Sequence, residues 1–347
     1  MVVSTIVVVN DRAGVPIDEL TGATVPKRTW MLEDIGDAEV RIPRTALKAT
    51  PENLDAYNIL VIKSDYGVED WGGVIVDRNW TQTEVVLELE DLRFLFDRRI
   101  FWGADKIPGG LTSGQAIRMV VRNVLRAEYN LPLVCAEGFL TEGLIHDHWK
   151  DDGWRDALDF TNEATRFEGT YWWVDANRMV QHAAERGTVK VEVVLEEGQN
   201  IVGTVSYKEK HRDIINDTIA AESESDTDVT APVHNQRSID RWGRFSDVIY
   251  GSVGGPTDTS ATKTGLLRIA ARSHIDQYKD PYYVFDFSVT NKDNLYENIR
   301  LGDQVRIQVP SYGFSGVYAQ ARILGMTLSE PSEEMRLILE VTEIYSQ

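Results

Sequence analysis

The amino-acid sequence predicts an α+β, multidomain fold in which strand-rich regions at both ends of the chain enclose a helical middle. At 347 residues the chain exceeds the size at which one hydrophobic core stops growing, so several domains are expected. Short apolar segments separated by turn residues fill the first hundred positions, helical periodicity follows, and two-residue alternation returns after residue 280. The short strands indicate a small barrel or sandwich, and the two similar ends are compatible with a diverged duplication of one barrel.

The first region contains five predicted strands, each with β-branched or alternating apolar residues. They are 5–9, 39–42, 58–62, 74–77 and 84–89. Turn-rich clusters at 11–14, 49–53 and 71–73 separate them.

Two helices and a hairpin are predicted next. The first helix has Thr112 or Ser113 as its N-cap and an apolar stripe formed by Ile117, Val120, Val121, Val124 and Leu125. The second helix has one face formed by Trp154, Ala157, Leu158, Thr161, Ala164 and Thr165, and Gly169 is placed to end it. An Asp-Ala-Asn turn between 171–174 and 178–181 then predicts a hairpin.

The last third of the chain is again rich in predicted strands. They are 190–194, 202–208, 283–289, 304–309, 316–327 and 334–344, and a helix is predicted at 264–278. Between them, the acidic, Ser- and Thr-rich stretch that follows "NDTIAA" is interpreted as a solvated loop. In "NIRLGDQVRI" a Gly-Asp corner leads into a strand that directs Val305, Ile307 and Val309 to one side, with polar Gln304, Arg306 and Gln308 on the other.

Composition and charge exclude several classes of protein. Values of 42% hydrophobic and 26% charged residues, with no long apolar run, predict a soluble protein without a membrane-spanning segment, and the apolar N-terminus favours a strand over a signal peptide. The single cysteine, Cys135, excludes an intrachain disulfide and is expected to be a buried, inert thiol. A net charge of -19 opposes recognition of nucleic acid, although an acidic lining would help DNA to slide through a conduit.

The common signatures of nucleotide-binding proteins, hydrolases and zinc proteins are missing from the sequence. One cluster, "HDHWKDD", could supply His146, His148, Asp147, Asp151 and Asp152 to a divalent ion. The preferred interpretation is a polar turn in which Asp151 and Asp152 complement the dipole of the next helix. The sequence therefore predicts no catalytic residue, no cofactor-binding residue and no metal-binding residue.

Three other groups of residues have a structural and a functional interpretation. The carboxylate pairs Glu69 with Asp70 and Glu196 with Glu197 could do acid/base chemistry, but such pairs arise by chance among 55 acidic residues. A carbohydrate could stack on aromatic side chains, namely Trp102, Tyr171, Trp172, Trp173 and Trp242. Trp172 and Trp173 point to opposite faces of a strand, so at least one of them should lie in a core. The basic corner at 97–99 is interpreted as a surface turn in which an arginine pairs with Asp97 or with an acid of a neighbouring subunit.

Several stretches together resemble one family. "WGGVIVDRNWTQTEVVLELEDLRFLFDRRIFW", "GWRDALDFTNEATRFEGTYWWVDANRMV", "NIRLGDQVRIQVP" and "ARILGMTLSEPSEEMRLILEVTE" are similar, in order and spacing, to segments of phage tail hub proteins. That family comprises the central baseplate hub of contractile-tailed phages and the N-terminal hub region of siphophage tail-associated proteins.

The resemblance implies two related small β-barrel domains of the tube type with intervening mixed α/β domains. The expected domains are a first barrel at 1–100, an α/β decorating domain at 101–189, a second barrel at 190–220 and 280–347, and an acidic loop with a helical insertion at 221–279. Because the chain ends at Gln347 soon after the last predicted strand, no lytic domain is expected.

The function implied by the resemblance is that of a structural, non-enzymatic subunit of the tail tip in a phage or prophage virion, assembled in the host cytoplasm. Three copies would form a trimeric hub that continues the hexameric tail tube and anchors tip components. The implied partners are distal tail or tail-tube proteins, the tape-measure protein and tip or fibre proteins, with DNA passing through the lumen unbound. Two alternatives remain open at this point: a cell-wall-degrading enzyme and a module that binds carbohydrate on the host surface.

Overall fold

The computed structural model describes residues 5–64, 67–143, 145–146, 153–221, 230–250, 259–310, 316–330 and 332–345. The first strand-rich region forms seven strands, which we call the first strand group. They are β1 (Thr5–Asn10), β2 (Pro16–Glu19), β3 (Thr24–Met31), β4 (Asp37–Pro43), β5 (Ile59–Ser64), β6 (Trp71–Trp80) and β7 (Glu84–Asp91).

The middle of the chain alternates short strands with helices. It contains a 3-10 helix (Leu92–Phe96), β8 (Ile100–Trp102), α1 (Gly103–Lys106), β9 (Leu111–Thr112), α2 (Ser113–Met119) continued by a π-helix (Val120–Arg126), β10 (Val134–Cys135), β11 (Ile145–His146), β12 (Trp154–Asp156), α3 (Ala157–Glu168), β13 (Tyr171–Val174) and β14 (Met179–Ala183).

The remainder of the chain holds nine strands and three α-helices within the described residues. They are β15 (Val189–Glu196), β16 (Ile201–Lys210), β17 (Asp217–Ala221), β18 (Thr230–His234), α4 (Gln236–Trp242), β19 (Ser246–Tyr250), α5 (Ser260–Tyr278), β20 (Tyr282–Thr290), α6 (Leu295–Asn298), β21 (Gln304–Val309), β22 (Val317–Ser329) and β23 (Glu334–Ile344). A 3-10 turn (Lys292–Asn294) precedes α6. Strands β15, β16 and β20 to β23 form the second strand group.

The two strand groups belong to one 13-stranded sheet. The first group has the order β2-β1-β5-β6-β7-β4-β3, and the second has the order β15-β21-β22-β23-β20-β16. Strand β22 joins them, because one of its edges pairs with β21 along its first half and with β3 along its second half. Among the described strands, neither group closes on itself through backbone pairing, so the two separate barrels implied by the resemblance are not confirmed.

Buried side chains form three clusters. The largest draws on both strand groups, with Val40 and Leu87 from the first and Phe285 and Leu337 from the second, each at most 2% exposed. The second cluster unites the helical middle with Ile59 and Val74 of the first group, so the middle packs on the outer face of that sheet. The third cluster is small and lies between α5 and the three-stranded sheet β18-β17-β19. The described structure is therefore α+β, with several sheets and few helices.

The Gly-Asp corner before β21 folds as its sequence predicts. Val305, Ile307 and Val309 are all buried, which confirms the predicted inward face. Gly302 has φ +89, and a Cβ there would lie 2.2 Å from the carbonyl oxygen of Arg186, so only glycine fits. The buried carboxylate of Asp303 accepts hydrogen bonds from the backbone N–H groups of Thr188, at 2.7 Å, and Arg300, at 2.8 Å. The corner thus ties β21 to the start of β15.

The second predicted helix begins later than the sequence indicates. Asp156 caps it by accepting hydrogen bonds from the N–H groups of Leu158 and Asp159, so Ala157 is its first residue. Trp154 lies in β12 instead, opposite Trp102, and is 71% exposed. Asp151 and Asp152, which the sequence predicts to complement the dipole of this helix, lie outside the described residues. Gly169 ends the helix in the left-handed conformation, as predicted.

Candidate functional site

The junction between the two strand groups is the first candidate site, since it positions both halves of the sheet. Residues 27–31 of β3 pair antiparallel with residues 325–329 of β22. The hydroxyl groups of Thr29 and Thr327 lie 3.2 Å apart, and the indole N–H of Trp71 donates to the Thr29 carbonyl at 2.9 Å. Side chains of three strands therefore hold the register of this ladder.

A buried ion pair lies at the end of the junction. The Arg28 guanidinium is 1% exposed and lies 3.4 Å from the carboxylate of Glu330. The Thr5 hydroxyl lies 3.1 Å from both carboxylate oxygens. Burial raises the pKa of Glu330, and the charge of Arg28 opposes that shift. The pair links β1, β3 and the end of β22. The Arg28 charge is enclosed, whereas the Glu330 side chain is 15% exposed.

A polar cavity of about 330 Å³ lies where the first group, the β13–β14 hairpin and the Gly-Asp corner meet. Its lining includes three tryptophans, Trp30, Trp71 and Trp173, and the charged residues Glu69, Asp70, Asp91, Arg93 and Arg186. Burial lowers the pKa of Arg186 to about 10, and Glu69 opposes this shift. The same enclosure raises the pKa of Glu69, against the charges of Arg186 and Arg300.

The arginines around this cavity are held by specific contacts. The Arg186 guanidinium lies 4.7 Å from the centre of the Trp173 ring. Arg93 pairs with Asp91 at 2.8 Å and donates to the carbonyls of Met31 and Leu32. Arg93 thus ties the 3-10 helix after β7 to the end of β3, and Arg186 packs on the hairpin.

Arg322 makes a second link between the hairpin and the sheet. Its guanidinium lies over the Tyr171 ring at 4.3 Å and donates to the Tyr171 hydroxyl at 2.6 Å. The same side chain donates to the carboxylate of Glu185 at 2.8 Å and to the carbonyl of Arg186 at 3.1 Å. No local pattern in the sequence marks Arg28, Arg186 or Arg322, since their partners are distant in the chain.

The aromatic side chains considered for carbohydrate binding are dispersed. Trp172 is 5% exposed and packs against Phe96, which confirms that at least one of the paired tryptophans lies in a core. Trp173 lies beneath Arg186, Trp102 packs edge-on against Trp154, and Trp242 lies beside Arg241 in α4. The five side chains therefore do not form one stacking platform.

The other candidate residues also lie apart. Glu69 borders the polar cavity, whereas Glu196 ends β15 and Glu197 starts the turn that follows. Cys135 is half-buried, so the prediction of a buried thiol holds only in part. This partial burial raises the pKa of the thiol, which disfavours the nucleophilic thiolate. Arg98 lies 3.6 Å from Asp97 and is mostly exposed, which confirms the predicted surface corner.

The possible metal cluster at 146–152 mostly falls outside the described residues, which include His146 but not His148, Asp147, Asp151 or Asp152. Within the part of the chain that the structure describes, no three His, Cys, Asp or Glu side chains are grouped to hold a metal ion. No described helix combines the length and apolar composition that crossing a membrane requires.

The outer face of the first strand group carries a strip of facing acidic residues, which we call the acidic strip. Its cross-strand neighbours are Asp37 with Glu90, Glu39 with Glu88, and Asp77 with Glu88. Like charges directly opposite one another in a sheet are unfavourable. Lys27, at 2.7 Å from Asp37, and Arg41, at 2.6 Å from Glu39, offset part of this repulsion. The strip is a surface rich in carboxylates.

Comparison with known proteins identifies the fold. No protein-family model matches the sequence, and no curated protein matches it. Many solved structures match the chain, among them three tail proteins. The 43 kDa tail protein of prophage MuSo2 from Shewanella oneidensis has a TM-score of 0.58 at 13% identity, covering 97% of this chain and 98% of that one. Prophage tail protein gp18 from Listeria monocytogenes has a TM-score of 0.62 at 12% identity, covering 97% and 95%. The tail protein from Neisseria meningitidis has a TM-score of 0.64 at 12% identity, covering 98% and 97%.

These matches run through both strand groups, the helical middle and the junction, so they concern the arrangement of the whole chain. The resemblance to phage tail proteins that the sequence indicates is confirmed at the level of the fold: this chain has the fold of the prophage tail proteins.

Proposed function

We propose that this protein is a structural, non-enzymatic subunit of a phage or prophage-derived tail tip, and that three copies form a hub that continues the tail tube. The observation that carries the proposal is the junction of β3 with β22, which places two strand groups side by side within one chain. Three such chains would present six strand groups, so a three-fold object could meet a six-fold tube through nearly equivalent contacts.

The proposal includes the finer architecture. Each strand group would form one small tube-type barrel, at 1–100 and at 190–220 with 280–347. Residues 101–189 would decorate the outside, and 221–279 would form an insertion. Strands β2, β15 and β16 end the described ladders, so their free edges could pair across subunits, which would also remove an aggregation hazard.

A tail tube has to let DNA pass without retaining it. The net charge of -19 has the required sign, which supports a lumen that repels phosphate. The partners proposed are tail-tube or distal tail proteins, the tape-measure protein and tip or fibre proteins.

The test is the mass and shape of the purified chain. Light scattering after size exclusion should give three times the 39.2 kDa of one chain, and negative-stain images should show a three-fold ring with a central hole. A chain that stays monomeric at every concentration tested, and shows no ring, would refute the hub.

A further inference from the structure

A row of arginines lies along the outer face of α2 and the π-helix. Arg118, Arg122 and Arg126 are four residues apart and all exposed. The opposite face of the same helix is buried, with Val120 and Val124 both 0% exposed. The three arginine side chains are therefore accessible to solvent and to a binding partner.

The charges of this row are not paired with any carboxylate of the described residues. Within the described residues, Arg118, Arg122 and Arg126 make no ion pair, although the chain holds 55 acidic against 36 basic side chains. Arg118 contacts an aromatic ring instead, at 5.3 Å from the centre of Phe139. Arg93, by contrast, is paired with a carboxylate. In so acidic a protein, this is a local concentration of positive charge.

A concavity of about 560 Å³ adjoins the row, and we call it the arginine groove. It is lined by Arg122 and Arg126, by Asn130, and by apolar side chains that include Ala13, Leu131 and Pro132. Arg178 lies close by, since its guanidinium packs on Gly14 in the β1–β2 turn. A Cβ at Gly14, which has φ +79, would lie 2.7 Å from the Arg178 Cζ, so glycine makes room for this fourth arginine.

The side chains that line the arginine groove indicate which class of ligand it would bind. The planar guanidinium fork matches a carboxylate, and the apolar lining suits aliphatic side chains between carboxylates. Nucleic acid fits less well, because the net charge of -19 repels an extended polyphosphate. In addition, none of the described residues that line the groove is aromatic, so bases would have nothing to stack on. We propose that the arginine groove binds an acidic, partly apolar polypeptide segment of a neighbouring protein. This goes beyond the proposed hub role, because it assigns a docking site that does not depend on the trimer.

The experiment uses the full chain and a fluorescein-labelled peptide of alternating Glu and Leu as the probe, with binding followed by fluorescence anisotropy. The wild type should bind, and added salt should weaken binding. The variant Arg122→Glu/Arg126→Glu should lose affinity by about tenfold or more, because charge-assisted hydrogen bonds become repulsive contacts. Arg122→Gln/Arg126→Gln, which removes charge without reversing it, should show a smaller loss and serves if the first variant fails to fold.

The matched control is Arg268→Glu/Arg272→Glu, since these two arginines have the same spacing and are exposed on α5. It should bind the peptide as the wild type does. An equal loss in the control, no binding by the wild type, or tighter binding of a DNA duplex at the same groove would overturn the inference. A monomer that binds the peptide would refute only the hub, whereas a trimer that does not bind it would refute only the groove.

Discussion

His182 is a buried side chain that fastens the loop around Leu140 to the β13–β14 hairpin. Its Nδ1 lies 2.7 Å from the Leu140 carbonyl oxygen, which can only accept, so this nitrogen carries the proton. Nε2, 2.9 Å from the Thr170 hydroxyl, then accepts a hydrogen bond. The neutral imidazole satisfies both contacts, and burial lowers the pKa of His182 below its ordinary 6.5.

The free energy of unfolding should therefore fall as the pH drops below about 6.5. In that range His182 is protonated in the unfolded chain but stays neutral in the folded chain. Its contribution to the free energy of unfolding is therefore present at neutral pH and is lost on acidification. His182→Asn should flatten the pH dependence of denaturant unfolding between about pH 7 and about pH 5. If the free energy of unfolding depends on pH as steeply in His182→Asn as in the wild type, this assignment is wrong.

At the scale of elements, α2 has a capping box that also makes a tertiary contact. The Thr112 side chain accepts from the Gln115 N–H at 3.2 Å, while the Gln115 side chain accepts from the Thr112 N–H at 3.1 Å. The Thr112 hydroxyl also donates to the Thr141 carbonyl at 2.7 Å. One side chain thus starts the helix and holds a neighbouring segment.

Thr112→Ala should lower the free energy of unfolding by about 2 kcal/mol, because it removes both the cap and the tertiary hydrogen bond. Thr112→Ser should recover most of this loss. Thr259→Ala is the control, since Thr259 caps the longer helix α5 and its hydroxyl lies near that of Thr262 at an exposed site. Its cost should be about 1 kcal/mol or less, measured by the same denaturant titration. Equal costs at the two caps would show that the bond to Thr141 contributes nothing.

At the scale of the whole molecule, β22 makes the two strand groups one structure. Gly325 lies near the point where the neighbour of β22 on this edge changes from β21 to β3, and a Cβ there would lie 2.9 Å from the Met31 sulfur. The largest hydrophobic cluster spans both groups. We expect the groups to unfold together rather than as separate units.

Glu330→Ala should destabilise the whole sheet by about 3 kcal/mol, because it leaves the charge of Arg28 buried without its carboxylate. The double variant Arg28→Met/Glu330→Leu should be much closer to the wild type, since it removes both charges together. Tryptophan fluorescence and circular dichroism should report one coincident transition in all three proteins. Two separated transitions would show that the groups are independent.

Local periodicity predicted most elements well. Strand β21 was predicted as 304–309 and occupies those positions, because an alternating strand with one buried face carries its pattern in its own residues. Strand β3 was not predicted, since the consecutive buried residues Arg28, Thr29 and Trp30 hide the two-residue period. Helix α4 and strand β19 were also missed, because they are short and weakly patterned.

By itself, the sequence determined the local structure: the capped helix α2, the hairpin of Trp172, the Gly302 corner, and the α+β class with strands at both ends. Its motif order also indicated the phage tail fold, which the solved structures confirm. Only the tertiary structure decided that β3 pairs with β22, where Thr29 meets Thr327 across 298 positions of chain. The physical reason is that a turn or cap is satisfied by neighbours in the chain. A ladder between distant strands, the buried Arg28–Glu330 pair and the arginine groove depend on residues that only folding brings together.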